Sequence, residues 1–318
     1  MATYDSLVSR TDAAGLIPPE YSREIIKSMP EFSVAMRSFR TVPMSRGTDI
    51  MPVLSVLPSA YWVGETDTGL KQTSEANWEN VTLYARELAV IVPIPEAVLE
   101  DSTIDMWGEI RPRIAEAFGT KLDAAALFGT SAPTAWPNSI VEAAVAAGNE
   151  YTIGTVAADD LSVDISNTWA LVEEDGFDVD VQWARRSIRS RIRNLRDDNG
   201  QPILANALAQ GSPASIYGED LLYVNNGSWD NTYALVVGSR RNAIIGVRQD
   251  IRYKLFTEGV IQDAAGDIQL NLMQQDAVAL RATMRVGYAV ANPANAIVGD
   301  GGAAGSGFPF AVLTEAGS

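Results

Sequence analysis

Apolar positions recur at two different periods along this chain. Ile104, Trp107, Ile110, Ile114, Phe118, Leu122, Ala125 and Phe128 fall three or four residues apart, the spacing that lines one face of an α-helix. Ser102 and Asp105 ahead of them form a start like a capping box, with Asp in place of Glu, and Gly129 supplies the stop. The pattern predicts a helix of about 25 residues, roughly 38 Å at 1.5 Å per residue. Most helices are half that length. Pro112 lies inside it and predicts a kink. Near the other end, Val278, Leu280, Ala282, Met284, Val286, Tyr288 and Val290 alternate strictly, which is the strand period. The run is about 13 residues, or roughly 43 Å, against a usual strand length of 3–10 residues. Gly287 leaves open whether this is one strand or two in a row.

The remaining elements read more briefly. Pro18-Pro19 opens a short helix with Tyr21, Ile25 and Ile26 on its apolar stripe, and a second lies near Glu31–Phe39. Neither is long enough to stand alone, so both must dock. Ile50–Val56 reads as a strand, with Pro52 placing it at an edge. Val81, Leu83 and Ala85, then Leu88, Val90, Val92 and Ile94, alternate again. Thr66–Asn77 between them is polar, so two strands flanking a polar tip predict a protruding hairpin. Trp62 and Trp78 sit near its ends, and exposed aromatics often mark a contact surface. Thr130–Ala158 reads mostly as loop. A helix with Leu161, Ile165, Trp169 and Val172 on one face ends at Gly176. Phe177–Val181 reads as a short strand and Trp183–Arg196 as another helix, with Ile188, Ile192 and Leu195 inward. Leu221–Asn225, Tyr233–Gly238 and the alternating Val247–Leu255 read as strands, and a turn near Ala264–Asp267 leads to a strand through Leu272. The segment after Gly299 is rich in Gly, Ala and Ser and reads as a flexible tail.

Composition narrows the chemistry. The chain has 318 residues, 47% of them apolar and 20% charged, enough for one or two compact units with a real core. It contains no cysteine and no histidine. That excludes disulfides, thiolate metal sites, Ser-His-Asp triads and the usual general base near neutral pH. Carboxylates, Lys, Tyr or an oxygen-ligated Mg or Ca remain. Asp and Glu number 40 against 24 Lys and Arg, and the net charge of −16 argues against generic binding to nucleic-acid backbones. The cations are mostly arginine, the residue favoured at ordered contacts and interfaces. Met1–Gly15 lacks the apolar core of a secretion signal, and no run approaches 18 apolar residues. The expectation is a cytosolic chain with no membrane contact. The sequon Asn226-Gly227-Ser228 then carries no glycosylation meaning.

No motif reads as a catalytic or cofactor site. Gly299-Asp300-Gly301-Gly302-Ala303-Ala304 fits a dinucleotide fingerprint, but the chain leaves no room for the helix and strand that must follow. Glu173-Glu174-Asp175 and Glu100-Asp101 are adjacent acids at helix ends, not a pair across a cleft. Arg185, Arg186, Arg189, Arg191, Arg193 and Arg196 crowd one predicted helix. Phosphate binding is one reading. Ion pairing with Asp159, Asp160, Asp164, Glu173, Glu174 and Asp175, in the same chain or a neighbouring copy, is the favoured one. The long hairpin, helix and strand together exceed what a compact globule needs, so an extended plate steadied by neighbouring copies is expected.

An ordered set of segments resembles one family. Ala60-Tyr61-Trp62-Val63-Gly64-Glu65, Lys71, Thr82-Leu83, Glu87–Ile94 and Leu99-Glu100-Asp101-Ser102 look like the extended loop and spine-helix entry of tailed-bacteriophage major capsid proteins of the Hong Kong 97 type. Leu16-Ile17-Pro18, Ser33-Val34, Pro43-Met44 and Pro52-Val53 are similar to that family's N-terminal arm. Asp197–Leu204 is similar to the loop after an A-domain helix, and Ala277–Pro293, with Arg281 and Arg285, resembles its closing segment. The resemblance implies an α+β, Hong Kong 97-like capsid fold. Residues 1–45 would be the N-arm and 46–86 the extended β-hairpin loop (E-loop). The P-domain, with the long spine helix and long β-sheet, would take 87–129 and 247–285. The A-domain would take 130–246 and 286–300, leaving 301–318 as a flexible tail.

What the resemblance implies about function is assembly without turnover or cofactor. The chain would form hexamers and pentamers of an icosahedral head around double-stranded DNA, which an acidic shell would enclose without specific binding. Its other partners would be a portal, a decoration protein and a separate scaffolding protein or none, because the scaffolding segment some members carry is missing. The setting would be the virion, assembled in the host cytoplasm. Trp62, Glu65, Lys71, Trp78, Arg185, Arg186, Arg189, Arg281 and Arg285 are the expected assembly contacts. Some members crosslink a loop lysine to a neighbour's asparagine; Lys71 lies in the matching loop, and no matching Asn is identified. An encapsulin-like compartment shell, with cargo enzymes inside, shares the implied fold and stays open. A carboxylate- or Mg-dependent hydrolase is the rival of another class and would need clustered acids in a cleft.

Overall fold

The computed structural model describes residues 33–58, 73–74, 76–102, 105–156, 160–196, 201, 215–263, 265–295, 297 and 307–316. The first expected helix, Trp62, Glu65, Lys71 and the segment 299–304 lie outside them. The second helix is five residues, α1 (Val34–Ser38), capped by Ser33. Strand β1 (Arg40–Pro43) follows, then β2 (Thr48–Val56) and β3 (Asn77–Tyr84), which pair antiparallel as the predicted hairpin. Next come β4 (Arg86–Pro95) and a short helix, α2 (Glu96–Asp101).

The spine helix is α3 (Met106–Phe128), 23 residues long. It starts later than the sequence suggests, because Asp105 itself is the cap and accepts from the Gly108 amide at 3.1 Å. It runs unbroken through Pro112 and stops at Gly129, whose φ of 74° suits glycine.

Two elements occupy the stretch read as loop. They are α4 (Ile140–Ala147) and β5 (Glu150–Thr152). Ser139 and Glu142 make a complete capping box for α4, a signal visible in the sequence and overlooked. Helix α5 (Leu161–Glu174) is as expected, with Gly176 at a φ of 78° just beyond it.

The arginine-rich segment is not one helix. Val181–Arg185 is a strand, β6, and only Ile188–Arg193 is helical, α6. Val181, Trp183 and Ala184 are buried in a central strand, and that burial overrides the helical reading.

Strands β7 (Ser215–Ile216), β8 (Glu219–Val224) and β9 (Tyr233–Gly238) follow. Then come β10 (Ala243–Phe256), β11 (Val260–Gln262), β12 (Ile268–Asn271) and β13 (Ala277–Val290). The last strand is β14 (Phe310–Thr314).

The strands form a four-stranded sheet, β1-β10-β13-β4, a six-stranded sheet, β5-β14-β9-β6-β8-β7, and two hairpins. The long alternating run is one 14-residue strand. Gly287 does not bend it in two; it faces Gly246 across the ladder. A Cβ on Gly287 would meet the Tyr84 backbone at 3.1 Å, and one on Gly246 would meet Met44 Sδ at 2.4 Å. These two glycines let the root of the β2–β3 hairpin seat on the sheet, where Met44, Leu83, Ile244 and Ala289 form a small core.

The expected divisions at 246/247 and 285/286 fall inside the continuous strands β10 and β13. The tail is not loose in its described part: β14 sits inside the six-stranded sheet, parallel to β5 and antiparallel to β9, and all five of its residues are buried. The six-residue apolar run Phe308–Leu313 drives this, since each fully buried large side chain is worth about 1.5–3 kcal/mol. The main core joins both sheets. Phe39 packs edge-on to Trp183 at 5.3 Å, and Trp183 lies 6.0 Å from Phe310.

Candidate functional site

The sequence-selected residues lie in three places on the surface. On the long sheet, β13 alternates inward Leu280, Ala282 and Met284 with outward Arg281 and Arg285. Arg285 makes two bonds, of 2.8 and 2.6 Å, to one carboxylate oxygen of Glu87 on β4. The Arg281 guanidinium sits 4.8 Å from the centre of the Phe256 ring, and Lys254 Nζ lies at the same distance from that ring. Ile91 and Leu255 are exposed on the same sheet. The structure therefore brings Arg281 and Arg285 together on one face. On the hairpin, Trp78 is 67% exposed opposite Leu54, and Ile50 is also exposed.

The arginines cluster at one end of the six-stranded sheet. Arg185 closes β6 and donates to the Asn231 carbonyl at 3.4 Å. Arg189 stacks 4.6 Å over Tyr223 on β8, and its Nε is buried without a hydrogen bond. Burial raises the Tyr223 hydroxyl pKa, while Arg189 and Arg193 pull it down. Arg191 pairs with Glu315 at 2.8 Å. Ion pairing with the acids of 160–175 within the chain does not form among the described residues. Asp164 accepts from the Gly154 amide, and Asp175 accepts from Asn149 and the Phe308 amide. Arg185, Arg186, Arg189, Arg193 and Arg196 have no carboxylate at ion-pair distance there.

Sequence reading missed the residue that organises the interior. Asp123 on α3 is fully buried and accepts from four donors. These are Ser33 Oγ at 2.5 Å, the Val34 and Ala35 amides at 2.9 Å each, and Asn226 Nδ2 at 2.6 Å. One carboxylate thus ties the entry to α1, the spine helix and the β8–β9 loop. Burial pushes its pKa above the ordinary value, and the four hydrogen bonds oppose that. Gly119, one turn earlier, leaves room for Ser33: a Cβ there would meet the Ser33 amide nitrogen at 2.8 Å. The one signal in the sequence is a lone acid inside the apolar run Leu122–Phe128.

No paired-carboxylate cleft is assembled by these residues. A cavity of about 170 Å³ between β4, α3 and the 131–136 loop is lined by Arg86, Glu87, Lys121 and Trp136. Its one carboxylate is already held by Arg285. Among the described residues no three acids converge as metal ligands would. What the surface offers is contact groups: stacked cations, exposed aromatics and, among the described residues, arginines without a carboxylate partner.

Comparison with known proteins defines the class first. The fold is that of solved phage structures: one from Microbacterium phage Oxtober96 shares 39% identity at a TM-score of 0.83, covering 98% of this chain and 100% of its own. Another, from Mycobacterium phage Bobi, shares 34% identity at a TM-score of 0.84 with the same coverage. A major capsid protein of Staphylococcus phage 80alpha is 27% identical over 291 residues, 91% of this chain and 86% of that protein. The family model described as the phage capsid family matches residues 13–301, and the chain belongs to that family.

Proposed function

We propose that this chain is the major capsid protein of a phage and acts by building a shell. It assembles into hexamers and pentamers of an icosahedral head that encloses double-stranded DNA. The observation that carries this reading is the chain-long likeness to the Staphylococcus phage 80alpha capsid protein, which leaves no large part of the chain for another task. The geometry supports it. A 23-residue helix, a 14-residue strand and a hairpin bearing a Trp exposed to 67% exceed what one compact molecule needs.

In this reading β2–β3 is the extended loop, α3 with the four-stranded sheet is the P-domain, and the six-stranded sheet is the A-domain. Trp78, Arg281 and Arg285 then serve as contacts between copies. The net charge of −16 keeps the shell wall from gripping the packaged genome. A portal, a scaffolding protein and a decoration protein are the expected further partners, and assembly takes place in the host cytoplasm. Electron microscopy of the purified chain tests the proposal. Closed shells or six- and five-membered rings are expected, and a protein that stays monomeric at all concentrations overturns it.

A further inference from the structure

The six-stranded sheet carries a cluster of arginines at one end and a cluster of exposed acids at the other. Strands β6, β8 and β14 run one way and β9 runs against them, so the sheet has one end at Val181, Glu219, Gly238 and Phe310 and another at Arg185, Val224, Tyr233 and Thr314. At the first end lie Glu173, Glu174 and Asp178, all exposed. Asp175 between them anchors this group to the sheet through the Phe308 amide at 2.8 Å. Two more acids there, Asp180 and Asp220, are already matched by Arg240. At the second end lie Arg185, Arg186, Arg189 and Arg193, held by the Tyr223 stack and the Asn231 carbonyl. Among the described residues only Arg191 in this group has a carboxylate partner, Glu315.

We infer that the arginine end of this sheet in one copy of the chain docks against the Glu173–Asp178 end of the next copy. The inference rests on the shell-building reading above and names one contact within it. Two complementary surfaces on opposite ends of one rigid sheet make a head-to-tail contact, and head-to-tail contacts close into rings when the rotation allows. The two ends are separated by the length of β6, about 17 Å, so they cannot neutralise each other within one copy. A duplex is the other polyanion that arginines would suit. The acid end does not favour it, because a chain of −16 carries, among the described residues, this basic cluster without carboxylate partners and an acidic cluster at the far end of the same sheet. Arginine also makes the firmer contact with carboxylates, through its planar fork.

The test uses exposed positions only. One variant combines Arg186→Glu with Arg193→Glu, and a second combines Glu174→Arg with Asp178→Arg. Analytical ultracentrifugation and electron microscopy follow association of the full chain, with thermal melting as a check that each variant folds. Each variant alone should associate at least about tenfold more weakly than the parent, because like charges then face each other. An equal mixture of the two should regain association, since one variant presents two acidic ends and the other two basic ends. The contact should also weaken as salt rises from 0.05 to 0.5 M, since exposed charges are screened beyond roughly 10 Å.

The inference is overturned if both variants associate like the parent, or if the mixture gains nothing. It is also overturned if the arginine variant loses only salt-sensitive retention of double-stranded DNA. Shells from the parent and both variants would sink the contact and leave the capsid reading standing. A parent that forms no shell, with a mixture that still associates, would do the reverse.

Discussion

Asp123 shows how one residue can hold separate segments together. Replacing it with Ala leaves Ser33 Oγ and two amides buried without this acceptor, and the half-buried Asn226 Nδ2 without it as well. The expected loss is about 3 kcal/mol in chemical unfolding. Its protonation also has a definite sign. Burial raises the folded-state pKa above 3.8, so the folded chain keeps this proton where the unfolded chain has lost it. Its contribution therefore makes stability fall as pH rises from 3.8 through the raised value. Asp123→Asn should flatten that part of a stability-against-pH curve; an unchanged slope would assign it to other carboxylates. Arg285 is the opposite case. Its bond to Glu87 is half-exposed, so Arg285→Ala should cost no more than about 1 kcal/mol.

Single elements decide more than their length suggests. Strand β14 is five residues long, yet it sits between β5 and β9. Phe310→Ala should destabilise the chain by about 3–5 kcal/mol, because the cavity would open beside Trp183. A melting curve unmoved by that change would contradict the central placement. A loose tail is the wrong reading because glycine and alanine dominate residues 299–307, while the short apolar run behind them needs a partner sheet to be recognised. The spine helix reads well from sequence because its period persists for more than six turns. The arginine segment reads poorly because five-residue strands and six-residue helices are too short for either period to show.

For the whole molecule, core and contact residues should separate cleanly. Trp78→Ala removes a mostly exposed ring and should leave stability within about 0.5 kcal/mol of the parent. In the capsid reading it should nonetheless weaken assembly, measured as the protein concentration at which shells first appear. Loss of stability without loss of assembly would place Trp78 in the fold instead. Of the nine expected contact residues, Trp62, Glu65 and Lys71 lie outside the described residues. The other six lie on the surface, in groups whose membership no spacing rule could supply, since Arg285 meets Glu87 from 198 positions away.

The sequence by itself determined the long-period features: the spine helix, the alternating strands, the hairpin with its polar tip, and the absence of His and Cys chemistry. These follow from local repetition, which needs no partner to be visible. Only the tertiary structure decided which short segments become central strands, which carboxylate is buried, and which charges share an end of a sheet. Those outcomes depend on burial and on pairings between distant positions, such as Asp123 with Ser33 across 90 residues. The energy of such pairings comes from desolvated contacts, which exist only after the chain has closed on itself.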